Sequence, residues 1–164
     1  VEPMQKVSPV YDFETQLNVG ESYENLLDTY FQQFFRVSIV PLAVQKLGVD
    51  RIFIFKGSPK RRFTVEYKAD IRAAETKRIF VEIESNSNTG KPGWAYSSVA
   101  QMLVYYIPPL KRAAIVNMLT LREAVPNWLK QYDKKICRNR TYHSTGVVVP
   151  LHELKAIASR VVTV

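Results

Sequence analysis

Cysteine is nearly absent: the 164 residues hold one, Cys137. That excludes an internal disulfide and any multi-cysteine zinc site. Histidine is almost as scarce, and His143 and His152 are too far apart for a helical His-Glu-x-x-His centre. Nowhere do about eighteen apolar residues run together, so no membrane span is expected. The first residues lack the charged-then-apolar pattern of a signal peptide. The expectation is therefore a cytoplasmic protein with no membrane partner. No internal repeat, glycine-rich phosphate loop or heptad run is present.

What the chain does hold is a 46% hydrophobic fraction, enough for a real core, and a net charge of +8 with a pI near 9.6. The length suits one domain. Residues 18–164 read as that domain and residues 1–17 as an N-terminal arm. The basic balance points to a polyanionic partner, nucleic acid or an acidic membrane.

The organising stretch runs from Gly48 to Asp70. Residues 51–55 and 63–69 read as two strands, joined by a turn carrying Gly57 and Pro59. Period-2 alternation puts Phe63, Val65, Tyr67 and Ala69 on one face and Glu66, Lys68 and Asp70 on the other. The hairpin brings Asp50 near Glu66. Two carboxylates beside an amine at one sheet edge are costly to bury unless compensated, and a divalent cation compensates them. An ordinary hairpin with solvated charges is the alternative.

Asp50 followed by Glu66-Tyr67-Lys68 resembles the PD-(D/E)XK nuclease superfamily, which has an acid at a strand start and an acid-x-Lys on the next strand. The pattern is nearest to the archaeal Holliday-junction resolvase-like and RecB-like branches. The resemblance covers about Gly20 to Met118. It implies a restriction-endonuclease-like α/β fold, a mixed β-sheet flanked by helices with an αβββαβ core. It also implies a metal-dependent endonuclease acting on DNA, using Mg²⁺ or in its place Mn²⁺, and working as a homo-oligomer, a dimer or higher. Asp50, Glu66 and the Tyr67 carbonyl would hold the metal, and Lys68 would orient water or stabilise charge.

Around that stretch, residues 18–35 predict a helix with Tyr23, Leu26, Leu27, Tyr30, Phe31 and Phe34 on one stripe and Ser22 as a candidate N-cap. Glu24 lies at the stripe's edge. It reads either as the helical acid that completes such a metal site or as a solvated first-turn Glu. Residues 37–40 read as a strand, 42–47 as a helical turn and 79–84 as a further strand. Asp70 with Glu82 and Glu84 forms a rival acidic register; Asp70 and Glu82 otherwise flank the site. Residues 95–107 read as a helix carrying Gln101 and Tyr105, which resembles the Gln-xxx-Tyr motif of the RecB-like branch. Residues 113–116 read as a strand, 119–132 as a helix, 146–149 as a strand and 151–161 as a helix. Lys60, Arg61, Arg62, Lys91, Lys134, Lys135, Arg138 and Arg140 are candidate phosphate contacts, and Trp94 a candidate base stack. The competing function is a DNA-binding or assembly protein that keeps this fold without the chemistry.

Overall fold

The computed structural model describes the backbone of residues 13–164 and the side chains of residues 20–164. Helix α1 (Phe13–Phe31) turns Leu27 and Phe31 inward as expected, while Leu26 stays exposed; Phe34, expected on the same stripe, lies exposed in the turn that follows the helix. The helix begins five residues before the expected Asn18. Ser22 is thus inside the helix and caps nothing, and Glu24 sits mid-helix, not in the first turn. Residues 13–17 of the expected arm are helical; the rest of the arm lies outside the described residues. Phe35, expected to end α1, opens β1 (Phe35–Ile39). The short α2 (Leu42–Gln45) follows Pro41.

Strands β2 (Arg51–Phe55) and β3 (Arg62–Ala69) form the expected antiparallel hairpin, with Phe53 opposite Phe63. After α3 (Ala73–Thr76), β4 (Arg78–Asn86) and β5 (Lys91–Pro92) leave this sheet altogether. The chain returns through α4 (Trp94–Ser97) to β6 (Met102–Ile107), which pairs parallel to β3. This corrects the helix expected over residues 95–107. Met-Leu-Val-Tyr-Tyr-Ile is a short apolar run rich in β-branched and aromatic residues. It is buried on both faces from Leu103 to Ile107, as suits a central strand.

A 3₁₀ turn at Pro108–Leu110 leads to β7 (Arg112–Asn117), then α5 (Met118–Gln131), β8 (Lys134–Arg138), β9 (His143–Pro150), α6 (Leu151–Ile157) and β10 (Arg160–Thr163). The expected helix over residues 151–161 is cut short, because Val161, Val162 and Thr163 extend the sheet beside β7.

The architecture is mixed α/β. A six-stranded mixed sheet has the order β1-β2-β3-β6-β7-β10, and a four-stranded antiparallel sheet has the order β5-β4-β9-β8. One face of the large sheet packs under α1 through Phe53, Val65, Tyr67, Val104 and Tyr106. Its other face packs Leu103, Tyr105 and Val116 against Val81 and Val147 of the small sheet and against Leu121, Val125 and Trp128 of α5. Strand β3 therefore divides two compartments, and its alternation sends Tyr67 into one, Glu66 and Lys68 into the other.

Candidate active site

Gly48 fixes the approach to Asp50. Its φ of +88° belongs to the left-handed region, and a Cβ there would run into Ser98. The Ser98 hydroxyl donates to the Gly48 carbonyl at 3.0 Å. Two residues on, the Asp50 amide donates to the Val65 carbonyl at 2.8 Å, and Asp50 Oδ2 accepts from the Tyr67 amide at 2.7 Å. The Asp50 carboxylate thus lies against the peptide that joins Glu66 to Tyr67.

Glu66 is 3% exposed, and Lys68 Nζ stands 2.8 Å from its Oε1. Glu66 Oε2 is buried without a hydrogen-bond partner, alone among the side-chain polar atoms of the described residues. A buried carboxylate oxygen left open is costly. Lys68 also lies 5.7 Å from the centre of the Trp94 ring, within cation–π range. Trp94 also packs against the core, so it is both anchored and beside the site.

Glu82, on the small sheet, joins this group. Burial raises its pKa above the ordinary 4.5, opposed by the Trp94 amide, Lys68 and Lys91 and reinforced by Glu66. Gly93 permits the approach: a Cβ there would strike the Glu82 and Ile83 backbone.

On the α1 side of β3 a second charged group forms. Arg51 is 5% exposed; its Nε donates to both Asp28 carboxylate oxygens at 3.0 Å and one Nη donates to Glu24 Oε2 at 3.0 Å. The other Nη donates to the Asp50 carbonyl at 2.8 Å, and the Tyr67 hydroxyl donates to Asp28 Oδ1 at 3.0 Å. Burial raises the pKa of Glu24 despite Arg51, with Asp50 and Asp28 adding to the rise. Burial, then Asp28, drives the Tyr67 phenol above its ordinary value. Helical phase at about 100° per residue turns Asp28 away from the apolar stripe, and the sequence pattern gives Arg51 no role; the structure instead bonds Asp28 to Arg51 and to the Tyr67 hydroxyl. The signal was there: Arg51 occupies the inward phase of Arg51-Ile-Phe53-Ile-Phe55, and Asp28 lies one helical turn from Glu24.

The expected residues are brought together only in part. Glu66, Lys68 and Glu82 come together; the Asp50 carboxylate is bonded to the Tyr67 amide and its charge is felt by Glu24, which is bound to Arg51. Asp70 is committed elsewhere, its Oδ1 accepting from the Ala73 amide at 3.0 Å and its Oδ2 from the Tyr105 hydroxyl at 2.6 Å. Burial, then Asp70, raises the pKa of that phenol well above its ordinary value. Gln101 and Tyr105 are not on a helix. Tyr105 lies in β6, and Gln101, just before it, ties its side chain to the Thr64 amide at 3.0 Å. Lys60 and Arg61 occupy the β2–β3 turn and Arg62 opens β3; Arg61 stacks on Phe55 at 4.6 Å. Lys91, Lys134, Lys135, Arg138 and Arg140 belong to the small sheet and its turns.

Among the described residues no three His, Cys, Asp or Glu side chains form a group able to hold a metal. Asp50 and Glu66 offer two hard oxygen donors, one of them open. That set suits a cation that keeps most of its waters, as Mg²⁺ does. An apolar cavity of 380 Å³ lies apart from these charges, between Phe31, Phe34 and Phe35 on one side and Val104, Ile115 and Val162 on the other. Its lining offers none of the carboxylates, so the site is placed by chemistry and not by cavity size. No family model, curated protein or solved structure matches the chain.

Proposed function

We propose that the chain is a Mg²⁺-dependent endodeoxyribonuclease with a restriction-endonuclease-like fold. The observation that carries this reading is the open, buried Oε2 of Glu66 beside Lys68, with Asp50 bonded to the next peptide. Asp50 and Glu66, with the Tyr67 carbonyl, would hold the metal. When bound, such a cation lowers the pKa of a coordinated water and polarises a phosphate oxygen.

The protein's own residues do the rest. Lys68 is 36% exposed at its side chain, so its ammonium reaches from the buried carboxylate toward solvent. There it orients the attacking water or stabilises the charge that develops on phosphorus. Trp94, held by the core, fixes one side of the Lys68 ammonium. Arg51 ties Glu24 and Asp28 to the Asp50 carbonyl and so sets where the Asp50 backbone lies. Mn²⁺ is expected to substitute. Cutting both strands of a duplex requires two such sites, which a symmetric oligomer supplies.

The test is incubation of supercoiled plasmid with Mg²⁺, with Ca²⁺ and with EDTA. Cleavage in Mg²⁺ that disappears in EDTA and in Glu66→Gln supports the reading. Equal cleavage in EDTA sinks it. Binding with no cleavage in Mg²⁺ or Mn²⁺ points to the competing function, a DNA-binding or assembly protein on the same fold.

A further inference from the structure

We propose that the apolar cavity on the α1 face of the large sheet binds a small anionic amphiphile, an alkyl or aryl body bearing one carboxylate. The body sits among the aromatic rings and the carboxylate meets Arg160. The site lies on the opposite face of β3 from Glu66 and Lys68, so the inference stands apart from the nuclease reading.

The cavity follows from unequal cover. The large sheet has six strands, and five spacings of about 4.8 Å make it about 24 Å wide. One face is covered by the small sheet and α5. On the other, α1 is the one helix in the packed cluster among the described residues, and a helix with its side chains is about 10–12 Å across. It also stops at Phe31, where residues 32–34 turn the chain into β1. A single helix therefore leaves part of this face open beside its C-terminal end. The 380 Å³ cavity is that opening, with Phe31, Phe53 and Val104 buried at its floor and Phe34, Ser159 and Arg160 exposed at its mouth.

Its wall is already set. Phe35 stacks on Phe53 at 5.2 Å and meets Phe63 edge-on at 5.5 Å, and Tyr30 meets Phe34 edge-on at 5.6 Å. Rings that hold one another need little ordering when a ligand arrives. The volume lies in the range of small-molecule sites, whose walls are mostly apolar with a few polar groups that fix orientation. Water in such a space finds few partners, so an apolar body gains by replacing it.

The polar groups choose the head. Among the described residues no acid lines the cavity. The Ser159 hydroxyl and amide both donate to the Ile115 carbonyl, at 2.9 and 2.8 Å, and are spent there. Arg160 is different. It lies opposite Ile115 in the β10–β7 pairing and two residues before Val162, so period-2 alternation puts its side chain on the cavity's face. It is exposed and joins no ion pair among the described residues. A second cation, Arg61, lies over the ring of Phe55, a lining residue, 4.6 Å from its centre. A planar fork of donors beside an apolar hollow matches a carboxylate on an apolar body, whereas a cationic head has no partner there.

The experiment is isothermal titration of the full chain, at several temperatures, with decanoate, naphthoate and the uncharged naphthalenemethanol, each kept monomeric in solution. Wild type, Arg160→Ala and Val162→Phe are compared. Wild type should bind each carboxylate at a single site with a negative heat-capacity change, and the alcohol about tenfold more weakly. Arg160→Ala should lose about tenfold in affinity for the carboxylates and leave the alcohol unchanged. Val162→Phe, which adds a ring to the cavity from an edge strand, should lose all three probes; Arg160→Ala carries the test if that variant does not fold. The tighter of decanoate and naphthoate tells whether the body is alkyl or aryl. No binding to wild type, as when a second copy or another segment of the chain fills the cavity, would overturn the proposal. So would a carboxylate affinity that Arg160→Ala leaves unchanged, or binding that a folded Val162→Phe retains.

Discussion

The two sides of strand β3 carry charge in opposite ways. Toward α1, Arg51, Asp28, Glu24 and Tyr67 answer one another: the guanidinium donates to both acids, and the phenol donates to Asp28. Toward the small sheet, Glu66, Lys68 and Glu82 do not close. One oxygen of Glu66 is left without a partner, and Glu82 is raised above its ordinary pKa by burial. A buried ionic group that satisfies itself is architecture; removing one member leaves the others uncompensated. A buried group that stays open is a cost the fold bears, and such costs concentrate where a ligand completes the set. Residues adjacent in sequence, Glu66 and Tyr67, thus belong to different economies.

The largest expected effects separate the two sides outright. Glu66→Gln and Asp50→Asn should each reduce Mg²⁺-dependent plasmid cleavage to background, because each removes a charged oxygen donor. Glu66→Gln should leave the melting temperature unchanged or raise it, since it removes a buried and incompletely paired charge. Arg51→Met should do the opposite in kind, costing stability toward the lower end of about 3–5 kcal/mol, because the Glu24 side chain it abandons is 35% exposed. Urea unfolding with an unchanged m-value measures that loss. A Glu66→Gln protein that unfolds while Arg51→Met stays fully stable would reverse the assignment of the two sides.

Smaller effects sharpen the open side. Lys68→Ala should lower the cleavage rate by about 10²–10³-fold, the usual loss for one charge-stabilising donor, with the Mg²⁺ dependence retained. Glu82→Gln should cost less than Glu66→Gln in the same assay, because Glu82 flanks the pair and is already held by the Trp94 amide. A dead Glu82→Gln beside an active, equally stable Glu66→Gln would favour the acidic register of the small sheet.

Much of this division was legible in the amino-acid order. The hairpin was readable from Gly57, Pro59 and the alternation of residues 63–69, and that alternation alone separates Glu66 and Lys68 from Tyr67. The destination of the next strand was not. Residues 79–84 alternate as a strand should, but nothing local says that they join a second sheet. The parallel pairing of β3 with β6 settles that, and it is a contact between distant segments. Residues 102–107 illustrate the same limit: six apolar residues fit a buried strand or a buried helix, and periodicity cannot separate them. Helical phase places Glu24 at the edge of the apolar stripe, but its bond depends on Arg51, a charged residue at an inward strand position that reads as an exception to the pattern. Asp70 stands out as part of the rival acidic register and Tyr105 through its resemblance to a Gln-xxx-Tyr motif; in the structure both hold α3 against β6.

The smallest effect tests the comparison away from β3. Glu153 is a closed carboxylate: Oε1 accepts from the Tyr132 hydroxyl at 2.6 Å and Oε2 from Trp128 Nε1 at 3.3 Å. The Tyr132 bond first, then the Trp128 bond, with a contribution from His152, lowers its pKa below the ordinary 4.5. A carboxylate lowered by folding stabilises the folded state above its unfolded pKa, and that stabilisation is lost as pH falls through the folded value. Acid should therefore erode this contribution below pH 4.5. Tyr132→Phe removes the larger cause and lets the pKa rise toward the ordinary value. Melting temperatures followed between about pH 3 and 6 should then fall less steeply with acid in Tyr132→Phe than in wild type. Glu153→Gln should flatten this part of the curve further, because no proton is taken up there. Identical slopes in all three proteins would show that closing a carboxylate at this exposed edge leaves no trace in stability, and the contrast between closed and open groups would then hold only inside the core.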